Sequence, residues 1–165
     1  MQVPKEIKTL IEQGALFVVN HSGGKDSQAM HAELVKIIPH SQMVIVHADL
    51  PGVDWEGIPE HIKATTKHPL HIVRAEKTLL GMVEKRGMFP SAKYRQCTSD
   101  LKRGPVEKWI RAYLKEHPEY AGRIVNCMGI RAQESPARAK QTPYKMNARN
   151  SKACLLYTSP SPRDS

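Results

Sequence analysis

The sequence predicts an α/β domain built on a mostly parallel sheet with helices on both faces. Three observations carry this. Short β-branched apolar runs alternate with segments of helical period; a glycine-rich loop follows the first run directly; and 165 residues fit one compact domain with a real core, but not two. Strands that alternate with helices pair in parallel through crossovers, and such sheets hold ligands beyond the carboxyl ends of their strands.

The first run, Ala15-Leu16-Phe17-Val18-Val19, reads as a strand. From Ser27 the apolar positions Met30, Leu34, Val35 and Ile38 recur at helical spacing until Pro39 stops them. A second strand reads Met43-Val44-Ile45-Val46-His47-Ala48, ending at Asp49, and a polar helix is expected from Trp55 to Lys67. Leu70-His71-Ile72-Val73 is a third strand, and Thr78 is placed to cap a helix that runs towards Gly87. A polar loop from Pro90 to Arg103 precedes a helix that begins at Pro105, carries Val106, Ile110, Tyr113 and Leu114, and closes at Pro118. The last strand, Arg123 to Met128, runs into Gly129-Ile130-Arg131.

Composition excludes some classes of function. Hydrophobic residues make up 40% and charged residues 25%, as in an ordinary globule. No apolar run approaches a membrane span, and Met1 to Lys8 lacks a signal-peptide pattern. Three cysteines without paired spacing make no disulfide framework, so a reducing cytoplasm is the expected compartment. The net charge of +9 is unevenly placed. Residues 1–84 carry eight Lys/Arg against ten Asp/Glu, and residues 85–153 carry sixteen against five. The basic half is either a solvated face or the site of an anionic partner, such as a nucleotide phosphate, sulfate or a nucleic-acid backbone.

The end of the chain, Cys154-Leu155-Leu156-Tyr157-Thr158-Ser159-Pro160-Ser161-Pro162-Arg163-Asp164, breaks with what precedes it. It resembles the in-frame translation of a transposase sequencing adapter joined to a truncated gene. Residues 1–153 are therefore expected to form one domain without its true C-terminus, with 154–165 set apart.

Strand, Ser22-Gly23-Gly24-Lys25-Asp26-Ser27, then helix is a physical recipe for holding pyrophosphate. Gly23 and Gly24 let the backbone turn tightly and bring N–H groups against oxyanions. The helix adds unpaired N–H groups and the positive end of its dipole. Ser22 and Ser27 offer hydroxyls and Lys25 a point charge. Phosphate would repel Asp26 unless a cation lay between them, which implies Mg²⁺ at Asp26. A Walker A loop would need glycine at Val19 and Ser/Thr at Asp26, and the dinucleotide pattern Gly-x-Gly-x-x-Gly is absent.

With its flanks, Val18-Val19-Asn20-His21 through Ser27, the loop resembles the PP-loop of the ATP pyrophosphatases. That superfamily includes ATP sulfurylase small subunits and phosphoadenosine phosphosulfate (PAPS) reductases. The resemblance covers residues 15–140 and implies the adenine nucleotide α-hydrolase-like fold, with the loop on the β,γ-pyrophosphate of ATP. Asp49 stands where the family places an acidic residue near the nucleotide; it also reads as a strand-ending turn residue. Tyr94-Arg95-Gln96-Cys97-Thr98 through Lys102-Arg103-Gly104-Pro105 resembles the Arg-x-Cys-Thr…Lys…Pro segment of PAPS-reductase-like proteins. Cys97 lies among Arg95, Lys102 and Arg103, close to a helix start, and both features favour its thiolate. Gly129-Ile130-Arg131 through Glu134-Ser135-Pro136-Ala137-Arg138 is similar to a further family segment, with Arg131 and Arg138 as a clamp on phosphate or sulfate. Cys127, inside an apolar strand, is expected in the core, and His47 as strand filling. His68 and His71 lack the partners of a zinc site.

The resemblance implies an enzyme with ATP and Mg²⁺ as cofactors that transfers adenylate to an acceptor and releases pyrophosphate. Lys25, Asp26, Cys97 and Lys102 are the candidate catalytic residues, and Ser22 to Ser27 with Asp49 would hold the nucleotide. Arg95, Arg131 and Arg138 would bind the substrate anion. The second reading is a PAPS or adenylyl-sulfate reductase that uses a thiol; against it, sulfonucleotide reductases characteristically carry a modified loop. The third is a nucleic-acid-binding or nucleic-acid-modifying module. A nucleic acid or a sulfur carrier is a possible partner on these readings, and a membrane is not.

Overall fold

A computed structural model describes residues 3–91, 93, 99–130, 133, 135–142, 144–146 and 154–160. The expected α/β architecture is present: a six-stranded sheet of order β3-β2-β1-β4-β6-β5 with helices on both faces. Its strands are β1 (Leu16–Asn20), β2 (Met43–Ala48), β3 (Leu70–Val73), β4 (Ile124–Ile130), β5 (Tyr144–Met146) and β6 (Cys154–Pro160). All neighbours pair in parallel except β5 with β6.

Side-chain alternation divides the core between the two faces. Phe17, Val19, Met43, Ile45, Val125 and Cys127 face helices α1 (Lys5–Glu12), α2 (Lys25–Leu34) and α3 (Ile58–Thr65), which contribute Ile7, Leu10, Met30, Leu34 and Ile62. Leu16, Val18, Val44, Val46 and Ile124 face α5 (Gly104–Glu116) through Val106 and Ile110. These strands are apolar on both sides because both sides are covered.

The local signals were sound guides. β2 and β3 have the expected limits. Helix α4 (Leu79–Arg86) starts at Thr78, whose hydroxyl accepts from the Gly81 N–H, and ends at Gly87 in the left-handed conformation. A π-helical turn, Ser99–Arg103, leads into α5 and buries Leu101 fully.

Helix α3 is shorter at both ends than the expected span from Trp55 to Lys67, strand β5 was not expected, and three further differences stand out. Helix α1 was not foreseen, although Ile7, Leu10 and Ile11 carry its period over eight residues. Helix α2 starts two residues before Ser27, because Gly24 is its N-cap. The third is at the end of the chain, where no element was expected. Residues 154–160 form β6, with Ile124 opposite Cys154 and Tyr144 opposite Tyr157. An apolar start, Cys-Leu-Leu-Tyr-Thr, suits an extended strand, and the open edge of β4 supplies unpaired backbone groups for it. Backbone pairing makes few demands on side chains, so this placement is indifferent to the segment's origin. Among the described residues no helix is long and apolar enough to cross a membrane.

Ile62 is the buried residue of α3 and is fully covered. Ile62→Ala is expected to lower stability by about 2–5 kcal/mol, read as a reduced urea midpoint with an unchanged slope.

Candidate nucleotide-binding site

The sheet order reverses between β1 and β4: β2 and β3 lie on one side of β1, and β4 on the other. The crevice beyond these two carboxyl ends is the topological switch point, where open α/β sheets bind ligands. Beneath it, the side-chain amide of Asn20 donates to the Asn126 side-chain carbonyl and, at 2.9 Å, to the Cys127 backbone carbonyl. This polar tie crosses an apolar sheet and pins the two strand ends together. Just beyond, β4 runs so close to the first turn of α2 that a Cβ on Gly129 would lie 3.4 Å from the Asp26 carbonyl oxygen.

The loop after β1 is bonded mostly to itself. Gly23 has φ +80°, and a Cβ there would come within 2.8 Å of Ile58 Cγ2. The imidazole of His21 turns back under the loop, and its Nδ1 accepts the Gly23 N–H at 3.0 Å. Ser27 Oγ donates to the Gly24 carbonyl at 2.8 Å and accepts the Ser22 N–H at 3.3 Å. Ser27 is buried, so its hydroxyl braces the loop, whereas Ser22 and Lys25 are exposed. Gly24 caps α2 without any side-chain bond. The N–H groups of the first turn, as in any helix, have no intrahelical acceptor and lie at the positive end of the helix dipole.

A second imidazole supports the first. His47 Nδ1 lies 2.8 Å from the His21 carbonyl oxygen, and a carbonyl can only accept, so the proton is on Nδ1. His21 and His47 are each 2% exposed. Burial, reinforced by His31, His47 and His61, holds His21 down at about 4, so its ring is neutral at pH 7 and its Nδ1 stays an acceptor.

The remaining predicted residues are spread around this edge. Asp49 follows β2, donates its N–H to the Val73 carbonyl at 2.9 Å and pairs with Arg74 Nε at 2.6 Å. Lys102 lies in the turn before α5. Since α5 runs back towards the start of β4, that turn shares the carboxyl edge with the loop, over the opposite face of the sheet. Arg138 is in α6 (Pro136–Ala139), capped by Ser135. Arg95, Cys97 and Arg131 lie outside the described residues. Cys127 is wholly buried, and burial pushes its thiol far above the ordinary range, as befits a core residue. His68 and His71 do not converge: His68 Nδ1 is 3.1 Å from His31 Nε2, while His71 packs on Trp109 at 4.7 Å.

Sequence reasoning passed over Asn20, Asn126, His21 and His47. Their signal was polarity within or beside runs that are otherwise apolar, because a buried polar side chain needs a partner.

Two outcomes are expected. Gly23→Ala forces an L-residue into the left-handed region and against Ile58, costing roughly 1–2 kcal/mol for the backbone alone. Thermal melts should show the loss, and Gly23→Ala/Ile58→Ala should recover only the steric part. Stability should also depend on pH with a definite sign. His21 and His68 are lowered from 6.5 to about 4 in the fold. Between those values the unfolded chain binds more protons, so stability falls as pH drops from 6.5 towards 4. His21→Asn, which keeps an acceptor but does not titrate, should make that fall shallower.

Comparison with known proteins identifies the family. Residues 73 in number align at 36% identity with an uncharacterized 37.8 kDa protein of Escherichia phage 186, covering 44% of this chain and 21% of the phage protein. This chain thus matches about a fifth of that relative's length. Residues 17–157 match the phosphoadenosine phosphosulfate reductase domain, a span that runs from β1 into β6 and takes in the loop, the switch point and the α5 turn. The chain belongs to the phosphoadenosine phosphosulfate reductase domain family.

Proposed function

We propose that this domain binds ATP with Mg²⁺ and catalyses attack of an acceptor on the α-phosphate, releasing pyrophosphate. The observation that carries the reading is the complete Ser22-Gly23-Gly24-Lys25-Asp26-Ser27 loop on the N-terminus of α2, at the switch point of the sheet. The first-turn N–H groups, the Ser22 hydroxyl and Lys25 would hold the β- and γ-phosphates. Asp26 occupies the same turn, and a carboxylate beside phosphate suits a hard cation between them. When bound, Mg²⁺ would neutralise charge on the departing pyrophosphate. The acceptor's lone pair forms the new bond to the α-phosphorus. The bond to the bridging oxygen breaks, and its electrons leave with pyrophosphate. Little covalent help is needed, so the chain contributes positioning and charge, with Lys102 and Arg138 directed to the acceptor or its anion. A reducing cytoplasm suits such an enzyme and keeps Cys97 a thiol.

The family itself favours a second reading, reduction of a sulfonucleotide by a thiol. Cys97 would be that thiol, since Cys127 is buried and held protonated. The basic second half keeps open a nucleic acid as the acceptor, which steep salt dependence of binding would reveal.

Calorimetric titration with ATP–Mg²⁺ and with phosphoadenosine phosphosulfate separates these readings. ATP binding is expected to require Mg²⁺ and to weaken at least about tenfold in Lys25→Ala, the loss of one charged hydrogen bond. Preference for the sulfonucleotide, indifferent to Mg²⁺, would overturn the proposal in favour of the reductase.

A further inference from the structure

A second cluster lies one strand away from the phosphate loop. One ring nitrogen of His47 and one carboxylate oxygen from each of Asp49 and Asp54 lie within 4.8 Å of one another. These residues read His-x-Asp-x₄-Asp across the carboxyl end of β2. The turn after the strand folds back, with the N–H groups of Val53 and Asp54 both donating to the Leu50 carbonyl at 3.0 Å. That reversal is what brings Asp54 beside the strand end.

The imidazole carries the independent signal. Its Nδ1 proton is committed to the His21 carbonyl, so the one lone pair left on the ring is at Nε2. Nε2 is buried and has no hydrogen-bond partner among the described residues. An unsatisfied buried acceptor normally has an explanation, and an unseen ion is one of the few available. Two carboxylates drawn together beside such a lone pair are the complement a cation requires.

Each of the three groups is also held from behind. His47 is anchored through Nδ1–H on the His21 carbonyl. Asp49 is held through Oδ2 by Arg74 Nε at 2.6 Å, and Asp54 through Oδ2 by the Leu50 N–H at 3.0 Å. Such outer bonds orient metal ligands and fix the imidazole tautomer. They leave Nε2 of the ring and further lone pairs on both carboxylates for an ion. Bond lengths of about 2.0–2.2 Å around one ion place neighbouring ligand atoms roughly 3–3.6 Å apart, so a cluster already within 4.8 Å closes by about 1–2 Å at most, which side-chain rotation supplies.

We propose that His47, Asp49 and Asp54 form a binding site for a divalent first-row transition ion such as Mn²⁺ or Zn²⁺. The imidazole favours these ions over Mg²⁺ or Ca²⁺, which prefer all-oxygen shells. Three protein ligands leave coordination positions for water or an oxygen of a bound substrate, the pattern of a working rather than a closed site. The ion is distinct from the Mg²⁺ assigned to Asp26 and does not depend on the nucleotide reading. It would be coupled to the phosphate loop through a single hydrogen bond, from His47 to His21.

Titration of the full chain with Mn²⁺ without nucleotide, following loss of the free-ion electron paramagnetic resonance signal, tests this directly. Mn²⁺ is chosen because it competes poorly for thiols. One bound equivalent is expected, displaced by Zn²⁺, with affinity lowered at least about tenfold in Asp54→Asn. Asp54 lies in a surface turn, so this variant should fold even where His47→Gln does not; circular dichroism checks that. Asp26→Asn should leave the nucleotide-free Mn²⁺ site intact, which separates this site from the loop. The proposal is overturned if Asp54→Asn binds like the parent chain, if Asp26→Asn abolishes binding instead, or if no equivalent binds at about 1 mM.

Discussion

The left-handed turn at Gly23 is the constraint on which the rest of the site depends. Its positive φ sends the chain from the end of β1 into the first turn of α2 within a few residues. The same turn presses the backbone against Ile58, at the start of α3, so loop, α2 and α3 are fixed together. His21 closes the turn from below and must stay neutral to do so, which burial ensures. Ser27 closes it from within. Ser22 and Lys25 are left exposed beside the start of α2.

Much of the fold could be read from local chemistry. Both limits of β2 and β3 follow from their β-branched runs, and Thr78 and Gly87 bracket α4 by the physics of helix ends. The loop was legible because two glycines, two serines, a lysine and an aspartate between a strand and a helix have few other uses. What escaped was of two kinds. Short elements such as α1 and β5 lack enough turns or alternations for the period to stand out. Contacts between distant residues leave no local trace: nothing near Asn20 announces Asn126, 106 positions later. His47 looked like filling because only the fold reveals that its second nitrogen is buried without a partner among the described residues.

The charge asymmetry gains meaning once the topology is known. The acidic first half supplies the loop, α2 and the His47–Asp49–Asp54 edge, features that attract cations as well as phosphate. The basic second half supplies Lys102 and Arg103 in the turn before α5, and Arg138 beyond β4. Chain topology brings the beginnings of α2 and α5 to one edge of the sheet. The glycine-rich loop of the first half and the basic turn of the second therefore border one edge from opposite faces of the sheet, in a chain that belongs to the phosphoadenosine phosphosulfate reductase domain family.

The pairing of β1 with β4 also governs how the chain reaches this state. Leu16 finds Ile124 only after more than a hundred intervening residues exist. At about 5–20 residues per second, β1, β2 and β3 leave the ribosome several seconds before β4 can cover the second edge of β1. Through that interval Leu16 to Val19 present an apolar, hydrogen-bonding edge to any other extended chain. The crevice that suits the finished domain for ligands is, in the nascent one, its point of greatest exposure to aggregation and its claim on a chaperone.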